Sequence, residues 1–115
     1  MPNEYPAAKT RSSRIAAVMV GIIVYRPCLT DDMAQLDALF VDKNHRQQGI
    51  AAQLTKLLEE QAIADGHKRL YVSATESQSA VGFYTSQGFV PTLDVHPELY
   101  ALEPNDIHMI KILEN

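Results

Sequence analysis

The sequence predicts an α/β fold of the α+β kind, a mixed sheet in which a pair of parallel strands is joined by a crossover helix. Three observations carry this expectation. The strand-like run Leu36-Asp37-Ala38-Leu39-Phe40-Val41 leads into a tight polar loop and then a stretch with no Pro or Gly before Gly66. Within that stretch Ile50, Ala51, Leu54, Leu57, Leu58 and Ala62 recur at the 3.6-residue period of an amphipathic helix. A second β-rich run, Arg69 to Thr75, follows the helix, and a strand–helix–strand connection of ordinary handedness sets the two strands parallel.

The remaining elements follow in chain order. Residues 1–13 hold two prolines and two basic side chains and read as a flexible arm; residues 14–115 read as a single domain. From Arg14 to Arg26 apolar residues occupy both alternating faces, Ile15, Ala17 and Met19 on one and Ala16, Val18 and Val20 on the other. That is the pattern of one strand covered on both sides, with Gly21 as a bulge or bend. Pro27 stops it, and Thr30-Asp31-Asp32 turns the chain into the next strand, Gln35 to Val41, to make a hairpin. After Gly66 ends the long helix, a short helix is expected from about Ser79 to Gln87, with Gly88 just past its end. Phe89 to Val95 and Asp106 to Leu113 read as closing strands, joined by a loop that contains Pro97 and Pro104.

Composition narrows the function. A chain of 115 residues, 46% apolar, buries one modest core. Ten Lys and Arg against 14 Asp and Glu give a net charge of -4, which favours neither nucleic acid nor an anionic membrane surface as partner. The longest apolar run, Ile15 to Tyr25, is too short to span a bilayer. The single cysteine, Cys28, rules out an internal disulfide and a cysteine metal cluster, and with no signal-peptide layout at the start the expected setting is cytoplasmic.

The chemistry-bearing stretch is His45-Arg46-Gln47-Gln48-Gly49-Ile50-Ala51, between strand and helix. A loop there aims free backbone N–H groups and the positive end of the helix dipole at one point, which suits a phosphate or pyrophosphate. No Gly-Lys-Ser/Thr ending is present, so a nucleotide-triphosphate loop is a poor match. The pattern Arg46-x-x-Gly49-x-Ala51, followed in order by Ala80-x-x-Phe83-Tyr84-x-x-x-Gly88-Phe89, closely resembles the GNAT superfamily of acyl-CoA-dependent N-acetyltransferases. The resemblance covers roughly residues 15 to 113 and implies a mostly antiparallel sheet with the parallel pair at its centre.

It also implies acetyl-CoA as co-substrate and an amine of a small molecule or peptide as acceptor. The amides of Arg46, Gln47, Gln48, Gly49, Ile50 and Ala51 would receive the pyrophosphate without a metal, with Gly49 and Ala51 keeping side chains out of the way. Leu39, Phe40 and Val41 would pair with the pantetheine amides like an added strand. Tyr84 takes the family's general-acid position, protonating the departing thiolate. Gln35 lies near the position of the family's usual glutamate base and cannot act as one; Asp37, expected on one face with Gln35, Leu39 and Val41, is the candidate to hold a water instead. Glu76 and His45 are weaker candidates. Ser77 stands where the family often has a cofactor-binding asparagine and would either bond the cofactor or cap the helix. His96 and His108 have no partner at ligand spacing, so no metal is expected.

One departure matters. The family normally begins with a strand and two helices that cover the acceptor side, and residues 1–13 do not supply them. An uncovered apolar strand at Arg14–Arg26 then favours a homodimer, while a non-catalytic acyl-CoA-binding or interaction module is the alternative to an enzyme.

Overall fold

The computed structural model describes residues 14–18, 20–46 and 49–114. Its first strands are β1 (Arg14–Val18) and β2 (Gly21–Arg26), antiparallel with Val18 opposite Gly21 and Arg14 opposite Tyr25. The single strand expected over 14–26 is therefore a hairpin. Gly21 opens β2 where two other elements crowd the chain: a Cβ there would stand 3.0 Å from the Phe40 carbonyl oxygen and 3.1 Å from Leu54 Cδ1. The expected cover on both faces holds on one only. Ile23 and Tyr25 are buried, whereas Ile22, on the other face, is 41% exposed.

The third strand, β3 (Met33–Val41), runs antiparallel to β2 and starts two residues earlier than the sequence pattern suggests. After a 3-10 turn at Lys43–His45 comes the long helix α1 (Ile50–Ala64), then β4 (Arg69–Ala74), which is parallel to β3 as expected. Leu54, Leu58 and Ala62, four residues apart, form the buried stripe of α1, and Thr55 joins them with its hydroxyl donating to the Ala51 carbonyl at 2.8 Å. Leu57 falls off the stripe and is 55% exposed, contrary to its expected place in the core. The helix ends at Asp65, with Gly66 at φ +89° in the left-handed conformation that side chains disfavour.

The short helix α2 (Gln78–Ser86) is followed by Gly88 at φ +97°. The closing segment differs from its expected form. Only Val90–Pro91 forms a strand, β5, at the edge of the sheet; Pro91 is tolerated there because it faces Met109 in a pair that needs no N–H, the next bond to β6 coming from the Thr92 N–H to the His108 carbonyl at 2.9 Å. Where a loop is expected, Pro97–Leu102 makes a third helix, α3, with Pro97 in its first turn and His96 Nδ1 accepting the Leu99 N–H at 3.4 Å. The last strand, β6 (Ile107–Ile112), lies antiparallel to β4.

The described residues thus form one six-stranded sheet in the order β1-β2-β3-β4-β6-β5, with β3 and β4 its parallel pair near the centre. Helices α1 and α2 pack on one face over Ile23, Leu36, Val72, Phe89 and Met109. On the other face Leu99 of α3 closes a smaller cluster with Leu29, Met33 and Tyr71. No helix of the described residues is long and apolar enough to cross a membrane.

Candidate active site

A fork in the sheet makes the site. β3 and β4 pair only from Met33–Arg69 to Leu36–Val72; beyond Leu36, β3 stays with β2 as far as Val41 while β4 continues with β6 as far as Ala74. The register between β2 and β3 slips at the same place, Val24 facing Ala38 and Tyr25 facing Leu36, so Asp37 is the extra residue of a β-bulge. The bulge resets which side chains face which way. Leu36 and Leu39, with two residues between them, both reach the core under α1. Asp37 and Ala38 consequently share the opposite side, and both are exposed. This corrects the expected common face of Gln35, Asp37, Leu39 and Val41: strict alternation ends at the bulge, and Asp37 parts from Leu39 there.

The fork opens into a cleft of about 560 Å³. Its walls are Leu39, Phe40 and Val41 from β3, His45 and Arg46 from the loop, Gly49 to Ala52 from the start of α1, and Ser79 and Phe83 from α2. Gly49 has φ +78° and supplies no side-chain cap, and the first turn of α1 holds no acidic residue. The first intrahelical bond runs from the Gln53 N–H to the Gly49 carbonyl at 3.0 Å, so the amides of Ile50, Ala51 and Ala52 precede it. A helix start whose first donors no described residue claims is a cradle for an anion.

Side chains brace the rim. Asp42 caps the 3-10 turn, its Oδ2 accepting the Asn44 N–H at 3.2 Å and the His45 Nδ1–H at 2.9 Å. A carboxylate oxygen of an ionised Asp only accepts, so the shared proton sits on His45 Nδ1. The His45 bond, with help from the Asn44 amide, holds the Asp42 carboxyl below its ordinary range. Arg46 folds back on the strand end, Nε donating to the Val41 carbonyl at 3.3 Å.

Most of the residues expected to hold the cofactor line this cleft: Leu39, Phe40, Val41, Arg46, Gly49, Ile50 and Ala51. Gln47 and Gln48 lie outside the described residues. Ser77 is not on the wall. It is exposed and its hydroxyl oxygen accepts the Ala80 N–H at 3.2 Å as the cap of α2. The sequence reading misses Ala52, Ser79 and Phe83; the last two stand four residues apart on α2 and so share one helix face, a spacing already visible in the sequence. Tyr84 lies behind the wall, 9% exposed, its ring edge-on to Phe83 at 5.2 Å and to Phe89 at 5.5 Å. Its hydroxyl has no hydrogen-bond partner among the described residues, and burial pushes the phenol up to about 12. Tyr84 is thus a neutral proton carrier throughout the ordinary pH range. Among the described residues no three His, Cys, Asp or Glu side chains gather as a metal site.

A sheet that forks between its parallel strands, with a helix starting at the mouth of the fork, makes one cleft bounded by a strand edge and a helix N-terminus. The chain belongs to the GNAT family of acetyltransferases: the family model for an acetyltransferase (GNAT) domain matches residues 7–111. It is similar to human N-acetyltransferase 8, 38% identical over 76 residues that make up 64% of this chain and 34% of that protein. The chain thus spans about a third of that relative's length. Among solved structures it is similar to a GNAT-family acetyltransferase from Staphylococcus aureus Mu50, with a TM-score of 0.72 and 22% identity over 83% of this chain and 60% of that one. A GNAT-family acetyltransferase from Elizabethkingia anophelis with acetyl-CoA bound gives a TM-score of 0.70 at 19% identity, covering 88% of this chain and 75% of that one. The two structural likenesses show the shared fold.

Proposed function

We propose that the protein is an acetyl-CoA-dependent N-acetyltransferase, moving the acetyl group to an amine of a small molecule or peptide. The observation that carries the reading is the alignment of the fork with the start of α1: one cleft offers a strand edge at Leu39–Val41 and the amides of Ile50–Ala52, both unpaired among the described residues. The spacing of these two features suits a long ligand with amides at one end and a pyrophosphate at the other. Acetyl-CoA supplies an activated acyl group on a thioester. The chain's own part is to hold the pantetheine on β3, receive the pyrophosphate at α1, and donate a proton to the leaving thiolate from Tyr84 Oη. A cytoplasmic setting belongs to the same reading, supported by the single cysteine.

We also propose that the chain works as a homodimer. Ile22 and Phe40 face each other in register on the outer side of β2 and β3, 41% and 58% exposed, and a second copy would cover them beside the cleft. The competing reading is a non-catalytic acyl-CoA-binding module. One observation favours it, that Tyr84 stands among core side chains rather than on the cleft wall. Release of CoA in the presence of a panel of amines, set beside thermal stabilisation by acetyl-CoA alone, tests the enzyme. Turnover supports it; stabilisation with no turnover for any amine leaves the binding module.

A further inference from the structure

We infer that Asp106, held in place by Ser73, is the residue that selects a cationic acceptor. The inference rests on the N-acetyltransferase reading and deepens it by naming the acceptor's charge. Ser73 is the first residue of β4 beyond the last pair with β3, so it stands one step, about 3.3 Å of strand rise, past the base of the fork. Val72 and Ala74 on either side of it are buried under the helices, which turns the Ser73 side chain to the face opposite α1 and α2. That is the face from which an acceptor meets the fork without displacing what lies in the cleft.

On that face Ser73 Oγ donates to Asp106 Oδ2 at 2.8 Å and fixes the carboxylate at the rim. Oδ1 of Asp106 has no hydrogen-bond partner, and the carboxylate no Lys, Arg or His within ion-pair distance, among the described residues. It is half-buried, so a counter-charge is worth more there than on open surface. The neighbouring wall is polar and includes the Arg26 guanidinium. Gln35, 4% exposed, uses its Oε1 to accept from Arg26 Nη1 at 3.4 Å, and its amide N–H groups are unpaired among the described residues. His108, opposite Ser73 in β6, is enclosed by two hydrogen bonds: Nε2 donates to the Glu103 carbonyl at 2.9 Å, and Nδ1 bonds the Tyr71 hydroxyl. Across the fork the bulge presents Asp37, exposed and in no ion pair among the described residues. Two carboxylates with no ion-pair partner among the described residues, Asp106 just before β6 and Asp37 on β3, therefore flank the mouth, while the Arg26 guanidinium on the wall between is turned to Gln35. The mouth suits an alkyl ammonium, whose charge a carboxylate meets on binding and which releases one proton to solvent before its nitrogen attacks the thioester, over an aryl amine, which is neutral at pH 7.

The test uses the full chain with acetyl-CoA and three acceptors: butylamine, a lysine-containing dipeptide, and aniline. The parent should acetylate the two alkyl amines in preference to aniline. Asp106→Asn keeps the Ser73 bond and removes the charge; it should raise KM for the alkyl amines by about ten- to a hundredfold, as loss of a charge-assisted contact does. Its kcat should stay within a few-fold, and neither aniline turnover nor acetyl-CoA affinity should change. Ser73 is a positioning residue: Ser73→Ala should raise KM several-fold with kcat kept, and Ser73→Thr should restore it. An unchanged KM in Asp106→Asn, or a parent that prefers aniline, overturns the assignment of Asp106 alone. A parent that binds acetyl-CoA and acetylates none of the three overturns both this inference and the transferase reading.

Discussion

The hydroxyl of Tyr71 is hydrogen-bonded to Nδ1 of His108 and at the same time accepts the backbone N–H of His96 at 3.0 Å, tying β4, β6 and the start of α3 together inside the smaller core. The Glu103 carbonyl can only accept, so the far nitrogen of His108 carries a proton and donates it. Tyr71→Phe keeps the ring and strands two polar groups, His108 Nδ1 and the His96 N–H. Unsatisfied buried groups cost about 1–3 kcal/mol each, so urea unfolding should report a loss of that order. Because the network lies on the opposite face from the cleft, acetyl-CoA affinity should stay within a factor of about two.

Tyr84 makes the contrasting case. Its hydroxyl has no partner among the described residues, so Tyr84→Phe should change stability by less than about 1 kcal/mol. If the phenol supplies the proton to the departing thiolate, turnover should fall by about a hundredfold or more while acetyl-CoA affinity is kept. Steady-state kinetics beside calorimetric titration separates the two effects. Equal turnover in variant and parent removes Tyr84 from the reaction.

The same burial predicts an alkaline limit to stability. In the unfolded chain the Tyr84 phenol titrates near ~10, and in the folded protein at about 12, so the folded state retains the proton longer. Stability from this group is present in full below pH ~10 and is lost as pH rises towards 12, a total of roughly 2–3 kcal/mol for a shift of that size. Tyr71, also raised by burial, acts in the same direction. Tyrosinate absorbance should show phenols that ionise well above the exposed ones, and in Tyr84→Phe the loss of stability between pH 10 and 12 should shrink.

At Gly49 the two roles of a glycine separate. Its φ of +78° disfavours any side chain, by roughly 1–2 kcal/mol, yet a Cβ there would meet no atom within 4 Å. Gly49→Leu should therefore fold, a little less stably, and place its side chain in the cleft beside Ile50 and Ala51. Acetyl-CoA affinity should drop at least tenfold by isothermal titration; equal affinity in variant and parent moves the site elsewhere.

How much of this was legible in the sequence differs element by element. The crossover helix and its flanking parallel strands were, since period 3.6 between two β-rich runs leaves little choice, and so were the glycines at 49, 66 and 88. The hairpin at Arg14–Arg26 was not: apolar residues on both faces look alike in one long strand and in two short ones, and the turn carries no Asn-Gly or Asp-Gly signal. The bulge at Asp37 was also hidden, because an extra residue in one strand is defined by its partner, here Val24 and Tyr25 of β2. That single residue decides that Leu39 lies under α1 and Asp37 on the opposite, exposed face. Helix α3 could have been read from Pro97 and Glu98 in its first turn.

The register pair Ile22 and Phe40 supports one last prediction, on assembly. Both are large apolar side chains on the face of the sheet away from α1, and Val24 and Ala38 continue the strip in the next row. Apolar strips of this kind on a sheet are association surfaces, and two-fold pairing of identical copies is the commonest way to close one. Sedimentation at micromolar concentration should therefore give twice the 12.8 kDa of a single chain. Ile22→Lys, outside the lining of the cleft, should shift the protein to monomer while acetyl-CoA binding persists, because Ile22 makes no part of the helical core. A parent that sediments as a monomer and still binds acetyl-CoA would show that the strip does not pair with itself and that the cleft forms without a second copy.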